Sequence, residues 1–274
     1  MNYFEANIEA NAEFSEILIA ELAEIGFDSF LENENGLQAY VTEDLFDDIA
    51  FKQLMEHYAS KTSLFYSLKK IAKQNWNAEW ENSFEPIEVK NKILVRASFH
   101  KSKEGFLHEI IITPKMSFGT GHHETTAQMM ELQLEIDHQN KSILDVGTGT
   151  GILAILAEKL GATDVKAFDI DEWSVENTIE NIALNECKNI HVSKGTIQDE
   201  PLKKYDIIVA NINRNILLDE ISLYNNYLKK GGTMLLSGFY EKDIAEIEVR
   251  CNENDLKKVR HISKKDWAAI VFCK

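Results

Sequence analysis

Apolar residues recur along the chain with two different periods, and the places where the period changes mark its organisation. Tyr3 to Glu9 alternates, with Phe4, Ala6 and Ile8 on one side, as a half-buried strand does. Ala12 to Gly26 spaces Phe14, Ile17, Leu18, Leu22 and Ile25 for one helical face and stops at Gly26. Phe30–Glu34 and Leu37–Thr42 flank Asn35-Gly36, a strong hairpin dipeptide. Asp44–Tyr58 predicts a second amphipathic helix through Leu45, Ile49 and Leu54, and Leu64–Ile71 alternates again. The order strand, helix, strand, strand, helix, strand predicts a small ferredoxin-like α+β domain over residues 1–71. Its two helices cover one face of a sheet and leave the other free to bind.

Ala72–Pro86 breaks both periods. It carries Trp76 and Trp80 four apart, the spacing of a short helical linker whose aromatic stripe packs on a neighbouring domain. From Ile87 to Lys274 the rhythm becomes a long alternation of strands and helices. Strand-like runs are Ser142–Val146, Asp164–Asp169, Asn189–Ser193, Tyr205–Ala210, Thr233–Phe239 and Trp267–Cys273, and Gly151–Leu160 and Ser174–Leu184 read as helices between them. Short continuous apolar strands interleaved with helices predict an α/β domain with a doubly wound, mainly parallel sheet.

Charge narrows the function classes. The chain has 274 residues, 44% of them hydrophobic, and a formal net charge of −16, which excludes a sequence-independent nucleic-acid binder built on Lys and Arg. Residues 1–60 hold fourteen acidic side chains against Lys52 alone, so −13 of the −16 sits there. Such a segment is either a well-solvated surface or a docking face for a basic macromolecule. The first residues lack both a basic segment and an apolar core of the secretory type. No apolar run approaches the ~20 residues of a membrane span. Cys187, Cys251 and Cys273 are isolated, with no C-x-x-C pair. A cytoplasmic, reduced protein with no membrane association is the expectation.

The chemistry concentrates where predicted strands end. Ile143-Leu144-Asp145-Val146 runs into Gly147-Thr148-Gly149-Thr150-Gly151, which opens a helix at Ile152. Glycines let the backbone turn and approach a ligand, and the helix start offers free N–H groups. A dinucleotide site wants glycine where Ile152 stands, and a P-loop wants Lys-Ser/Thr, which is absent. The loop therefore suits a nucleoside ligand that lacks a pyrophosphate. The next strand ends at Asp169, beside the first strand tip in a doubly wound sheet, where a carboxylate can take both ribose hydroxyls. Asp171 is the second choice for that role and equally fits a helix cap. A third strand ends at Asn211, whose amide can accept a hydrogen bond from an incoming amine or satisfy turn backbone. Upstream, Phe118-Gly119-Thr120-Gly121-His122-His123-Glu124-Thr125-Thr126 leads into a helix expected over Thr126–Ile136, with hydroxyls and free N–H groups where a carboxylate could dock. The histidine pair has no partners at metal-ligand spacing, so no metal is expected.

Together, Asp145 with Gly147, Gly149 and Gly151, the strand-end Asp169 and Ala210-Asn211-Ile212 resemble a class I S-adenosylmethionine-dependent methyltransferase. Phe118-Gly119-Thr120-Gly121 with His123, Thr125 and Thr126 makes the chain similar to the ribosomal protein L11 methyltransferase family, over nearly its whole length. The resemblance implies a seven-stranded methyltransferase sheet over residues 87–274, a linker at 72–86, and S-adenosylmethionine as the methyl donor. It implies cofactor contacts at Thr126, Gly147, Gly149, Gly151, Asp169 and Asn211, with Asn211 also orienting the acceptor amine. The implied reaction is methylation of lysine side chains, the N-terminal α-amine, or both, on a basic ribosomal protein gripped by the acidic N-terminal domain, without direct nucleic-acid binding. Alternatives are the same fold acting on another protein, a nucleic acid or a small metabolite, and a non-catalytic ribosome-associated module. Lys115, Glu124, Asn213 and Arg214 depart from the family pattern around the expected substrate entrance.

Overall fold

Alternation of side chains decides how the first part of the chain closes on itself. The strands β1 (Tyr3–Glu9), β2 (Ser29–Asn33), β3 (Gly36–Thr42) and β4 (Phe65–Ile71) form one antiparallel sheet in the order β2-β3-β1-β4. Pairing sets Ala6 against Ala39 and Ile8 against Leu37. These four pack with Leu18 and Leu22 of α1 (Ser15–Glu24) and with Phe51 and Met55 of α2 (Asp48–Ala59). Each large apolar side chain buried this way contributes about 1.5–3 kcal/mol. Glu5, Asn7 and Glu9 alternate onto the opposite face, giving the strand-helix-strand-strand-helix-strand order of a ferredoxin-like fold. Helix α2 starts at Asp48 rather than Asp44 because the Asp47 carboxylate accepts hydrogen bonds from the N–H groups of Ile49 (2.9 Å) and Ala50 (3.0 Å), an N-cap.

The structure is a computed structural model that describes residues 3–11, 14–33, 36–71, 85–115 and 117–274. It divides into two compact units, residues 1–83 and 84–274. The linker reading, with Trp76 and Trp80, and Asn35 of the hairpin dipeptide lie outside the described residues.

The second unit begins with a small three-stranded sheet of β5 (Ile87–Val89), β6 (Ile93–Arg96) and β7 (His108–Ile111). After α3 (Glu124–Gln133) comes the main sheet. Its strands are β8 (Ser142–Val146), β9 (Asp164–Asp169), β10 (Ile190–Lys194), β11 (Tyr205–Asn211), β12 (Leu228–Tyr240), β13 (Lys257–Lys264) and β14 (Trp267–Cys273). They are ordered β10-β9-β8-β11-β12-β14-β13, parallel from β10 to β12 and antiparallel at β14 and β13. Helices α4 (Ile152–Lys159), α5 (Glu172–Leu184), α6 (Arg214–Tyr227) and α7 (Ile244–Asn252) cover the two faces. Successive strand residues enter opposite layers: Ile143, Ile207 and Leu235 join the α3–α4 side, while Leu144, Ile208 and Leu236 join α6 and α7. Strand order reverses on either side of β8, so the carboxyl ends of β8, β9 and β11 open a crevice at a topological switch point.

Candidate nucleoside site

The crevice is a cavity of about 640 Å³, lined mostly by apolar groups and by the strand-end residues. Gly147 and Gly149 line it, whereas Gly151 sits behind as the left-handed N-cap of α4 (φ 80°) against Thr178. Gly149 has φ +58°, and a methyl group there would lie 2.3 Å from the Phe118 carbonyl oxygen, so only glycine fits. Beneath the turn, the Thr148 hydroxyl donates to Asp145 Oδ2 at 2.6 Å. Asp145 is fully buried, and that burial, with Asp169 nearby, pushes its carboxyl up to about 7 against the Thr148 hydrogen bond.

Asp169 lines the cavity at the end of β9. Its Oδ2 accepts from the Gly149 N–H at 2.9 Å and its Oδ1 from the Asp171 N–H at 3.1 Å. A carboxylate has about four lone-pair sites, so two remain for a ligand's hydroxyls. Asp171 caps α5 instead, accepting from the Ser174 N–H (3.1 Å) and hydroxyl (3.0 Å).

Asn211 closes the other side at the end of β11. Its Nδ2 donates to Thr126 Oγ1 at 3.3 Å, and its buried Oδ1 has no partner among the described residues. A buried amide oxygen left unpaired costs about 1–3 kcal/mol, so this atom is set to receive a donor. Thr126 is fully buried behind Asn211, and it is Thr125 that lines the cavity. Helix α3 starts at Glu124, earlier than Thr126, because His123 Nδ1 accepts from the Thr125 N–H (3.3 Å) and caps the helix.

Phe118 and His123, which the sequence offers only as parts of a motif, and Trp267, which it offers only as a strand residue, form an aromatic wall of the cavity, with ring centroids 5.3 Å apart for Phe118–His123 and 4.6 Å for His123–Trp267. Tyr240 stacks behind Trp267 at 4.2 Å. One signal could have found Trp267. It opens the antiparallel strand β14, which places its first residue beside Tyr240, the last of β12, at the carboxyl edge of the sheet. Ile170, Thr196, Ile197 and Glu220 also line the cavity, and the Glu220 carboxylate accepts from the Tyr224 hydroxyl at 2.5 Å.

The four departures have local partners. Glu124 pairs with Lys264 (2.9 Å) and Lys265 (2.7 Å), Lys115 with Glu180, and Arg214 with Asp243 (3.0 Å) and Glu246 (3.4 Å). Asn213 lines the cavity and caps α6 by accepting from the Asn215 N–H at 2.9 Å. Among the described residues no three His, Cys, Asp or Glu side chains converge as metal ligands.

A family model described as ribosomal protein L11 methyltransferase matches residues 7–274. The chain belongs to the ribosomal protein L11 methyltransferase family. It is 48% identical to the protein of that name from Porphyromonas gingivalis, over 94% of this chain and 90% of that one. It is 41% identical to the one from Phocaeicola vulgatus, over 99% of each. Among solved structures it resembles the ribosomal protein L11 methylase of Lactobacillus delbrueckii subsp. bulgaricus, with a TM-score of 0.65, 30% identity, and coverage of 69% of this chain and 98% of that one. A methyltransferase from Pyrococcus furiosus shares the fold at TM-score 0.52 and 20% identity, over 60% of this chain and 89% of that one. The family's nucleoside-bearing methyl donor fits the crevice on this chain's own terms: a glycine turn, a strand-end carboxylate with free lone pairs, and a buried amide oxygen without a partner among the described residues.

Proposed function

We propose that this protein transfers methyl groups from S-adenosylmethionine to amino groups of ribosomal protein L11, on lysine side chains, the N-terminal α-amine, or both. The unpartnered Asn211 Oδ1, buried at the cavity wall, carries the reading: it is an acceptor waiting for an N–H. S-adenosylmethionine supplies, when bound, a methyl group already activated on a sulfonium. Gly147, Gly149 and Asp169 would hold the nucleoside, with Asp169 taking the ribose hydroxyls. Asn211 orients the acceptor nitrogen, and Thr126 orients Asn211 through the Nδ2 contact. Gly151 and Thr126 act from behind the wall, Gly151 by starting α4 and Thr126 by fixing the amide.

The acceptor must be neutral when its lone pair attacks. For lysine, with an ordinary pKa near 10.4, neutrality at pH 7 costs about 4–5 kcal/mol, and for an α-amine near 8 about 1. A largely apolar cavity with the Phe118–His123–Trp267 wall lowers that cost by disfavouring the ammonium form. Asp169 is tied to the glycine turn and Glu220 to Tyr224, so neither serves as a dedicated base in this reading. The acidic N-terminal unit recruits the basic acceptor protein.

The test is incubation with radiolabelled S-adenosylmethionine and purified large-subunit ribosomal proteins. Label in L11 and no other band is the expected result. Label in another protein, or nowhere, overturns the assignment.

A further inference from the structure

Thr150 stands in the glycine turn but faces away from the cavity. It is fully buried and makes no part of the lining. Instead it receives the turn that carries Phe118. The Thr150 N–H donates to the Phe118 carbonyl at 3.0 Å, and its hydroxyl donates to the Gly119 carbonyl at 2.6 Å. Its own carbonyl accepts from Asn181 Nδ2 at 2.8 Å, and Asn181 Oδ1 accepts from the Thr113 N–H at 2.8 Å. Thr178 adds a hydroxyl bond to the Gly149 carbonyl at 2.8 Å. Helix α5 thus clamps the glycine turn and the chain leading out of β7, and Thr150 carries that clamp onto Phe118 and Gly119.

The Phe118 ring needs such a hold. It lines the cavity yet remains 53% exposed, with the His123 ring 5.3 Å away. A side chain that exposed takes its position from its backbone, and two consecutive carbonyls of that backbone end on one residue. Gly149 lies so close beneath the Phe118 carbonyl that a methyl group on it would sit 2.3 Å from that oxygen, so the two turns are in direct backbone contact.

We infer that Thr150 is a positioning residue for the acceptor: it seats the Phe118–Gly119 turn on the nucleoside-binding turn and so fixes the aromatic wall where the amine enters. This rests on the methyl-transfer reading above. The nucleoside contacts at Gly147, Gly149 and Asp169 do not depend on the Thr150 hydroxyl, so the acceptor side alone suffers when it is lost.

The experiment compares wild type with Thr150→Val, Thr150→Ala, Thr150→Ser and Phe118→Leu. S-adenosylhomocysteine affinity is measured by calorimetry, and steady-state kinetics are run with ribosomal protein L11. Thr150→Val and Thr150→Ala keep nucleoside affinity within about twofold of wild type and raise the acceptor KM about tenfold, while Thr150→Ser, which retains the hydroxyl, restores it. On a Phe118→Leu background, Thr150→Val adds little further, because both changes act through the same ring. Equal losses in nucleoside affinity and acceptor KM, full additivity with Phe118→Leu, or failure of both Thr150→Val and Thr150→Ala to fold would overturn the proposal by making the role a general structural one. Wild type that binds no S-adenosylhomocysteine and labels no acceptor would instead sink the underlying functional reading.

Discussion

At the scale of single residues the site rests on two buried polar groups with opposite roles. Asn211 holds an amide oxygen without a partner among the described residues at the cavity wall. In the proposed reading Asn211→Ala removes the acceptor for the amine but leaves Gly147, Gly149 and Asp169 in place. The expected result is a loss of about 100-fold in kcat with a severalfold change at most in nucleoside Kd, the pattern of lost orientation. Parallel losses in methyl-transfer assays and calorimetry would assign Asn211 to nucleoside binding only. Asp145, by contrast, lies under the glycine turn, where burial lifts its carboxyl from 3.8 to about 7. Between about pH 4 and pH 7 the unfolded chain has lost this proton while the folded protein keeps it, so rising pH removes stability. The loss is complete above the folded-state value and amounts to ~4 kcal/mol at most, at about 1.4 kcal/mol per unit. Asp145→Asn keeps an oxygen for the Thr148 hydroxyl and cannot ionise. Urea melts at pH 5 and pH 8 should therefore show a smaller fall in stability for the variant than for wild type; identical falls would mean that Asp145 does not carry this linkage.

At the scale of elements, α5 does more than cover the sheet. Its Asn181 bridges the Thr150 carbonyl and the Thr113 N–H inside the protein. Asn181→Leu orphans both backbone groups at about 1–3 kcal/mol each, so chemical denaturation should show roughly 2–5 kcal/mol of destabilisation. A change under about 1 kcal/mol would show that the bridge is dispensable. Elements differ in how openly the sequence declares them. β8, β9 and β14 run over the residues that their apolar patterns predict, because strands covered on both faces read as continuous apolar runs. β13 has no such run: as an edge strand its Lys257–Lys264 segment is exposed almost throughout, so burial leaves no imprint on it. β5, β6 and β7 are too short, at three or four residues, for alternation to register. The site divides the same way. Gly147, Gly149, Asp169 and Asn211 were legible because each ends or follows an apolar strand at the sheet's carboxyl edge. Which of Thr125 and Thr126 faces the cavity depends on helix phase, and the His123 cap that sets the phase is a local hydrogen bond, not a pattern. Trp267 acquires its place only from the reversed direction of β14.

At the scale of the whole molecule, charge and chemistry are segregated along the chain. Residues 1–60 carry −13 of the net −16, while the cavity is built wholly from the second unit. On the N-terminal sheet the helices take Ala6 and Ile8, and the alternate positions of β1 present Glu5, Asn7 and Glu9 on the other face. Tyr40 donates its hydroxyl to Glu5 Oε2 at 3.1 Å, and its ionisation is shifted upward by burial and by that carboxylate. Lys69 stands opposite Glu5 on that face, so most of the negative charge of residues 1–60 lies on the helices and connecting segments. In the proposed reading that charge attracts a basic protein through fields that salt screens within about 8–10 Å, whereas short hydrogen bonds within the crevice would hold the nucleoside. The two ligands should therefore separate in their response to salt. Raising NaCl from about 50 to about 300 mM is expected to increase the acceptor KM roughly tenfold, with less than a twofold effect on S-adenosylhomocysteine affinity. Neutralising exposed helix acids of this unit with Glu24→Gln and Glu56→Gln should raise the acceptor KM in low salt and flatten its salt dependence, leaving kcat near wild type, because in the proposed reading such side chains guide encounter and not the reaction. If the double variant keeps the wild-type salt slope, the acidic segment is a solvated surface, and acceptor recognition belongs to the second unit instead.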